Sequence, residues 1–375
     1  MKNFDVIIIG GGLAGLSTAA HLIESNSELQ ILVIDAKNIG DGASGVPAGI
    51  VNPVTGQNAR IVWKAETSLK LIEKRLETLS KYTEYPLYFE NGILRPAIDD
   101  KLYDSFKSVL INNQWAKAWY KWLDPEAIEQ QLPFLKATNG GLFLRKGKVI
   151  RTPEYLDAFV KYLREKGVHF KFFGNFHLQP SDNKWILKNR VNAISALKVI
   201  VSSGFKSREN RFWNDLPINS VKGQLAIYHC YKRVDSYPAV SAYGYTAPLA
   251  THQLAMGSTY EHHFHDEKPD GQGAGHLDQK LKELMPGLYP KCQRIGQWTG
   301  IRATTSDRMP IVGEHPEHKG LYVFTGLGSK GLLYSEHVGS LLAGHLLQHT
   351  NLPEEISLYR FSNFREMKIN ATGVS

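Results

Sequence analysis

Three glycines and one aspartate carry the clearest chemical signal in the chain. Gly10, Gly12 and Gly15 stand in the spacing G-x-G-x-x-G, and Asp35 follows 20 residues after Gly15. Glycines at this spacing admit a tight turn, a close approach of backbone to a pyrophosphate, and close packing of helix on strand, in that order. The helix start behind them offers unpaired N–H groups and the positive end of a dipole to phosphate oxygens. A carboxylate at Asp35 can accept from a ribose 2′-hydroxyl. Far along the chain, Arg302 lies in the apolar setting of GIRATTSD. A guanidinium there can clamp a carboxylate through two parallel hydrogen bonds, and a structural pair with Asp307 is the alternative. Tyr245, in GYTAPL, has a hydroxyl able to reach such a carboxylate; a core tyrosine with a satisfied hydroxyl fits equally well.

The elements that must position these residues can be read around them. Residues 4–9 alternate little and are rich in Val and Ile, the pattern of a parallel strand buried on both faces. The helical pattern LSTAAHLIES and a second strand, LQILVID, complete a βαβ unit. Next comes NIGDGASGVPAGIVNP, where small residues at Ala43, Ser44, Ala48 and Gly49 let backbone pass close to an extended cofactor and Ser44 offers a hydroxyl to phosphate. LKVIVSSG reads as another strand closing on Gly204. GLYVFTGLGSKGLLYSEHVGSLLAGHLL reads as strand, glycine loop and helix, so Gly326, Gly328 and Gly331 build a second helix start whose dipole suits an electron-rich ring edge. Lys330 in that loop is a candidate counter-charge for a reduced flavin or an acidic substrate group; an exposed loop lysine is the plain alternative. The first motif alone does not separate NAD from FAD. FAD accounts for all three segments, and NAD for one.

These motifs resemble the D-amino acid oxidase and glycine oxidase superfamily of FAD enzymes, from Phe4 to about Gln348. The resemblance rests on GASGVPAG, VKGQL, GYTAPLATHQLAMGSTYE, QWTGIRATTSDRMPIVG and GLGSKGL. Within the superfamily the chain is similar to the flavin domain of the bifunctional tRNA wobble-uridine modification enzymes, which removes a carboxymethyl group from carboxymethylaminomethyl-uridine. The resemblance implies a non-covalently bound FAD, with no cysteine near the Arg302 segment to suggest a covalent one. It implies hydride transfer from a C–N bond of an amino-acid-like amine to flavin, with Arg302 and Tyr245 at the substrate carboxylate. The cofactor contacts expected are Gly10, Gly12, Leu13, Ala14, Gly15, Asp35, Ala36, Lys37, Ala43, Ser44, Ala48, Gly49, Ile50, Phe176, Ser203, Gly204, Gly328, Ser329, Lys330, Gly331 and Leu332. The substrate expected is the modified uridine of tRNA, with glyoxylate released; free glycine, sarcosine, proline or a D-amino acid is the alternative.

The fold class expected is α/β, a two-domain α+β arrangement in which a Rossmann-like FAD-binding domain (residues 1–84, 148–213 and 298–375) is interleaved with an antiparallel-sheet substrate domain (85–147 and 214–297), the substrate site lying where they meet. Within the first insertion, YPLYFENGILRPA reads as strand and QWAKAWYKWLDPEAIEQQL as helix; Trp115, Trp119 and Trp122 would then share a face, either buried or open to stacking on bases. TPEYLDAFVKYLREKG reads as a helix stopping at Gly167, followed by strands in VHFKFF, NFHLQ and KWILK.

Bulk properties narrow the class further. The chain has 375 residues, 42% of them hydrophobic, enough for a substantial core, and no run of eighteen apolar residues. We therefore expect no signal peptide or membrane span and a cytoplasmic location. Cys230 and Cys292 lie far apart outside any CxxC spacing, which indicates neither a disulfide framework nor a thiolate metal site. EHHFHDE at 261–267 bunches potential ligands without a distant partner, so no metal is expected. The 44 Lys plus Arg against 36 Asp plus Glu give +8, compatible with a phosphate-rich partner such as tRNA if gathered on one face, or with a mildly basic surface. Nothing points to DNA, and oligomeric state is not encoded in any motif.

Overall fold

In the computed structural model, which describes residues 2–56, 59–112, 119–172, 174 and 176–372, the strand Lys2–Ile9 (β1) ends in four consecutive buried residues, Val6 to Ile9. A strand covered on both faces requires that pattern. It runs parallel to Ile31–Asp35 (β2), with Ile8 opposite Val33, and parallel to Ala193–Val201 on its other side, with Ile7 opposite Val199. His169–Phe172 extends the parallel set beyond β2, and Leu321–Thr325 extends it beyond Ala193–Val201. The hairpin His177–Ser181 and Lys184–Lys188 joins antiparallel, with its turn at Asp182, as expected from the polar PSDN.

The helix Leu13–Ser25 (α1) follows β1 directly and packs against the helix Gly331–Gln348. Glu336 of the later helix is 1% exposed, accepts from Ser17 Oγ at 2.7 Å and lies 3.1 Å from His21 Nε2. A buried carboxylate without partners would cost several kcal/mol, so this pairing sets the registry of the two helices. The core of this layer holds Ile7, Leu32, Val199, Val323, Trp213 and Phe364.

The chain divides into two compact units. The first comprises Met1–Gly45, Leu156–Val221 and Ile301–Ser375, and the second Val46–Tyr155 and Lys222–Gly300. Residues 46–84, 148–155 and 298–300, expected with the cofactor domain, group with the second unit, and 214–221 with the first. The reason is strand pairing: Ala48–Val51 lies antiparallel to Lys148–Arg151, which in turn pairs with Tyr88–Phe89. The second unit also carries an eight-stranded sheet in the order Cys292–Thr304, Asn219–Cys230, Gln253–Gly257, Tyr245–Ala250, Ala239–Val240, Ile93–Pro96, Gly141–Leu144 and Tyr120–Leu123. From Asn219–Cys230 to Tyr120–Leu123 its pairings are antiparallel apart from Ala239–Val240 on Ile93–Pro96.

Four expectations need correction within the second unit. Tyr120–Leu123 is a strand, not helix; Trp122 packs edge-on against Tyr103 beneath the Lys107 ammonium, so Trp119 and Trp122 share no helix face, and Trp115 lies outside the described residues. Pairing with Gly141–Leu144 overrides the local helical spacing, which resumes only at Pro125–Gln131. A helix also occupies Gly271–Leu284, inside the 214–297 segment expected to be antiparallel sheet. It is started by Asp270, whose side chain accepts from Gly273 N at 2.7 Å. Finally, Cys230 and Cys292 form a disulfide, because they sit at the ends of two neighbouring strands although 62 residues apart in sequence.

Candidate dinucleotide-binding site

The turn between β1 and α1 is built from backbone that tolerates no side chain. Gly10 has φ +115°, and a Cβ there would lie 2.4 Å from Ser202 O. At Gly15 a Cβ would lie 2.0 Å from Gly10 O, so the helix rests on the strand end itself. Gly12 is different. Its missing Cβ faces only the end of a side chain, Ser44 Oγ, at 2.8 Å.

Ser44, on the single turn Ala43–Gly45, accepts from Leu13 N at 3.1 Å, and no side chain of α1 caps its own start at Gly12. A hydroxyl therefore stands at the phosphate-binding end of the helix, where the unpaired amides and the dipole point. Asp35 Oδ2 accepts from Gly11 N at 2.7 Å and Oδ1 from Ala36 N at 2.6 Å. Burial pushes the Asp35 carboxyl above the usual carboxylate range, an effect opposed by the Gly11 and Ala36 amides. Gly11 was not among the expected site residues. The side chain of Ile39 lies where its Cβ would fall, so the middle glycine of the GGG run has a packing role that spacing alone does not reveal.

Two further segments end on the same side of the sheet. Ser202 N donates to Ile9 O at 2.7 Å and Ser203 Oγ to Ile9 O at 3.1 Å. Thr325 Oγ1 donates to Gly204 O at 2.8 Å, which joins the end of one strand to the end of the next. Gly328 N donates to Ala303 O at 2.9 Å, and Gly331 packs against Leu13 at the start of α1. The first unit thus gathers Gly10, Gly12, Leu13, Ala14, Gly15, Asp35, Ser44, Ser203, Gly204, Gly328 and Gly331 about the C-terminal ends of parallel strands, where open α/β sheets bind ligands. Ser202 also belongs to this rim. Its buried hydroxyl has no hydrogen-bond partner among the described residues, and the double serine of VSSG was the available signal.

Other expected residues fall elsewhere. Ala36 and Lys37 are exposed beside Asp35, Ser329 is exposed in the glycine loop, and Leu332 is buried in the first turn of its helix. Phe176 packs on the hydrophobic core of the first unit. Lys330 donates to Arg308 O at 2.9 Å, its ammonium 5.2 Å from the Tyr334 ring centre, and burial together with Arg308 lowers its pKa. Ala48, Gly49 and Ile50 form a strand of the second unit, where Tyr245 Oη donates to Ala48 O at 2.7 Å. The single hydroxyl hydrogen of Tyr245 is committed to that carbonyl. Arg302 is half-buried in the first unit, and the structural partner weighed for it is engaged with another residue: Asp307 accepts from Arg360 Nε at 2.7 Å and Nη2 at 3.3 Å. The 261–267 cluster does not converge. Glu261 is taken up by Gln224 and Thr259, while His262, His263 and His265 are exposed.

The donor set fits an adenine dinucleotide. Amides and a hydroxyl face the phosphate position at the start of α1, a carboxylate ends β2, and a glycine loop with a second helix start lies beside them, as a flavin's ring edge requires. No helix among the described residues is long and apolar enough to cross a membrane.

Known proteins resemble this chain over most of its length. The glycine oxidase of Geobacillus kaustophilus is 23% identical over 91% of this chain and 92% of its own length. The bifunctional protein MnmC of Shewanella amazonensis, named for tRNA 5-methylaminomethyl-2-thiouridine biosynthesis, is 22% identical over 92% of this chain, which spans 57% of that protein. Among solved structures, G. kaustophilus glycine oxidase superposes with a TM-score of 0.80 at 22% identity, covering 94% of this chain and 96% of its own. The L-proline dehydrogenase of P. horikoshii gives 0.80 at 20% identity, covering 96% and 98%. Residues 5–344 match the FAD dependent oxidoreductase family, DAO, and the chain belongs to that family of FAD-dependent enzymes.

Proposed function

We propose that the chain oxidises the C–N bond of a carboxymethyl-bearing amine, and that this amine is the carboxymethylaminomethyl group of a tRNA wobble uridine. The observation that carries the reading is the place of Arg302. Its neighbour Ala303 is bonded through backbone to Gly328, so the half-buried residue Arg302 stands on a strand tied to the glycine loop that starts the last long helix. A guanidinium there fits a substrate carboxylate with two parallel bonds.

FAD, when bound, supplies the acceptor for the hydride that leaves the carbon between nitrogen and carboxylate. Arg302 holds the carboxylate so that this C–H bond is directed at the acceptor, and orientation of this kind removes several kcal/mol from a barrier. The lone pair of the unprotonated nitrogen forms C=N as hydride leaves. Water adds to the imine carbon and the C–N bond breaks, giving an aminomethyl group and glyoxylate. No protein side chain has to take a proton from carbon. Tyr245, with its hydrogen held by Ala48 O, acts as a positioning residue for the Ala48–Val51 strand.

The tRNA assignment is supported by the MnmC relative and by a net charge of +8, which suits a phosphate-rich ligand. A second reading, oxidation of a free amino acid such as glycine, is favoured by the glycine oxidase relative that matches over 92% of its own length. The experiment is anaerobic mixing of the FAD-loaded protein with tRNA carrying the modification, and separately with glycine, sarcosine, proline and D-amino acids, while the flavin absorbance is followed. The expected result is faster bleaching by tRNA, slowed steeply by salt as phosphate contacts are lost. Rapid, salt-insensitive reduction by a free amino acid with modified tRNA inert refutes the tRNA assignment and leaves the oxidoreductase reading intact.

A further inference from the structure

The connection between the strands Ile311–Glu314 and Leu321–Thr325 reads His315-Pro316-Glu317-His318-Lys319-Gly320. One ligand atom from each of His315, Glu317 and His318 lies within 4.8 Å of those of the other two. His315 is buried, His318 half-buried and Glu317 exposed, so the group is anchored at one end and open to solvent at the other. His315 has a defined tautomer: Nε2 stands 3.0 Å from Phe212 O, and Glu317 N donates to Nδ1 at 3.2 Å. Nε2 therefore carries the hydrogen, and Nδ1 keeps a lone pair.

The loop holding these side chains is fastened at every turn. His315 N donates to Leu321 O at 2.7 Å, Gly320 N to Glu314 Oε1 at 2.7 Å, and Trp185 Nε1 to Lys319 O at 3.1 Å. Aromatic rings wall the two imidazoles. The His315 and His318 ring centres are 4.6 Å apart, Phe212 stands 4.8 Å from His318, and Trp213 stands 4.8 Å from His315.

We propose that this hairpin binds a divalent transition metal ion of the zinc type through His315 Nδ1, a ring nitrogen of His318 and the Glu317 carboxylate, with water completing the coordination. Two imidazoles and one carboxylate suit zinc, nickel, cobalt or copper(II), whereas magnesium and calcium favour oxygen donors throughout. The Nε2–H bond from His315 to a backbone carbonyl is the outer contact that metal-bound imidazoles need to fix their tautomer and direction. Binding exchanges only the long Glu317 N–H contact at Nδ1 for a metal bond. All three ligands lie outside the cofactor turn and the glycine loop, so the site is separate from the flavin chemistry and acts as a clamp on the hairpin.

The test is calorimetric titration of tag-free, FAD-loaded protein, freed of metal with a chelator, with zinc and in parallel with magnesium. We expect saturable binding of one zinc per chain, a melting temperature that rises with zinc concentration, and no response to magnesium. His318→Ala and Glu317→Gln should each weaken zinc binding by roughly tenfold or more, with flavin absorbance unchanged. Glu317 is exposed, so Glu317→Gln reports even if His318→Ala fails to fold. A control replacing His262, His263 and His265 with alanine should bind zinc as the parent does. Absence of one-to-one binding, equal binding of magnesium, an unchanged affinity in both loop variants, or loss of binding in the 262/263/265 control each overturns the proposal.

Discussion

Replacing Gly15 by alanine is the sharpest test of how the cofactor turn is built. The added methyl would stand 2.0 Å from Gly10 O, a backbone atom, and 3.1 Å from the Ile8 side chain. Carbon and oxygen approach to about 3.0 Å at closest, so α1 would have to move by roughly 1 Å relative to β1. Overpacking of this kind costs ~1–3 kcal/mol, and relief through backbone belongs at the upper end. If FAD binds only the closed turn, ~3 kcal/mol lowers its affinity by about 100-fold, since each ~1.4 kcal/mol is a factor of ten. Gly12→Ala meets a softer obstacle, the Ser44 hydroxyl at 2.8 Å, with Ser44 Cβ next at 3.6 Å. In FAD-free protein the Gly12→Ala cost should stay below ~1 kcal/mol and vanish when Ser44→Ala is added. FAD affinity should remain impaired in that double variant, because the methyl still points at the phosphate position. The assay is FAD titration by flavin fluorescence, paired with thermal unfolding of the apoproteins. A Gly15→Ala protein with parental FAD affinity and parental melting would refute the reasoning, as would a Gly12→Ala variant more destabilised than Gly15→Ala.

Four further outcomes follow from the same structure. Arg302→Leu should leave FAD bound and lower kcat/KM for the best substrate by at least ~2 kcal/mol of transition-state stabilisation, with partial recovery in Arg302→Lys; unaltered flavin reduction in Arg302→Leu removes the carboxylate clamp. Glu336→Ala should destabilise the protein by ~1–3 kcal/mol by stranding the buried Ser17 hydroxyl, measured by chemical denaturation; a neutral effect would show that the α1 registry does not depend on that carboxylate. The Gly273 amide and then the Lys222 ammonium hold the Asp270 carboxyl at about 2, below its ordinary value of 3.8. The folded state thus binds this proton more weakly than the unfolded chain, so the stabilisation is complete above pH ~4 and is lost as pH falls toward ~2; Asp270→Asn should flatten the acid limb of a pH–stability curve. Protein denatured without reductant should show no reactive thiol, and two after reduction, because Cys230 and Cys292 are paired.

Much of the candidate site was legible in the residues themselves. G-x-G-x-x-G between a Val/Ile strand and a small-residue helix admits few folded forms, and Gly10, Gly15 and Asp35 stand where the spacing puts them, because the constraints are local: one turn, one helix start, one strand end. The same holds for VSSG and GLGSKGL, whose glycines must end strands that lie beside β1 or its neighbour. Nonlocal pairing decided the rest. Tyr120–Leu123 carries helical spacing but becomes a strand because Gly141–Leu144 takes up its backbone groups, and two distant cysteines meet because their strands are neighbours. The partner of the Tyr245 hydroxyl was open in sequence, and in the structure it donates to a carbonyl 197 residues away, while Asp307, near Arg302 in sequence, accepts from Arg360. Short-range sterics are written in adjacent residues, whereas the partner of a hydrogen-bonding group is chosen by whichever distant segment the fold brings within 3 Å of it.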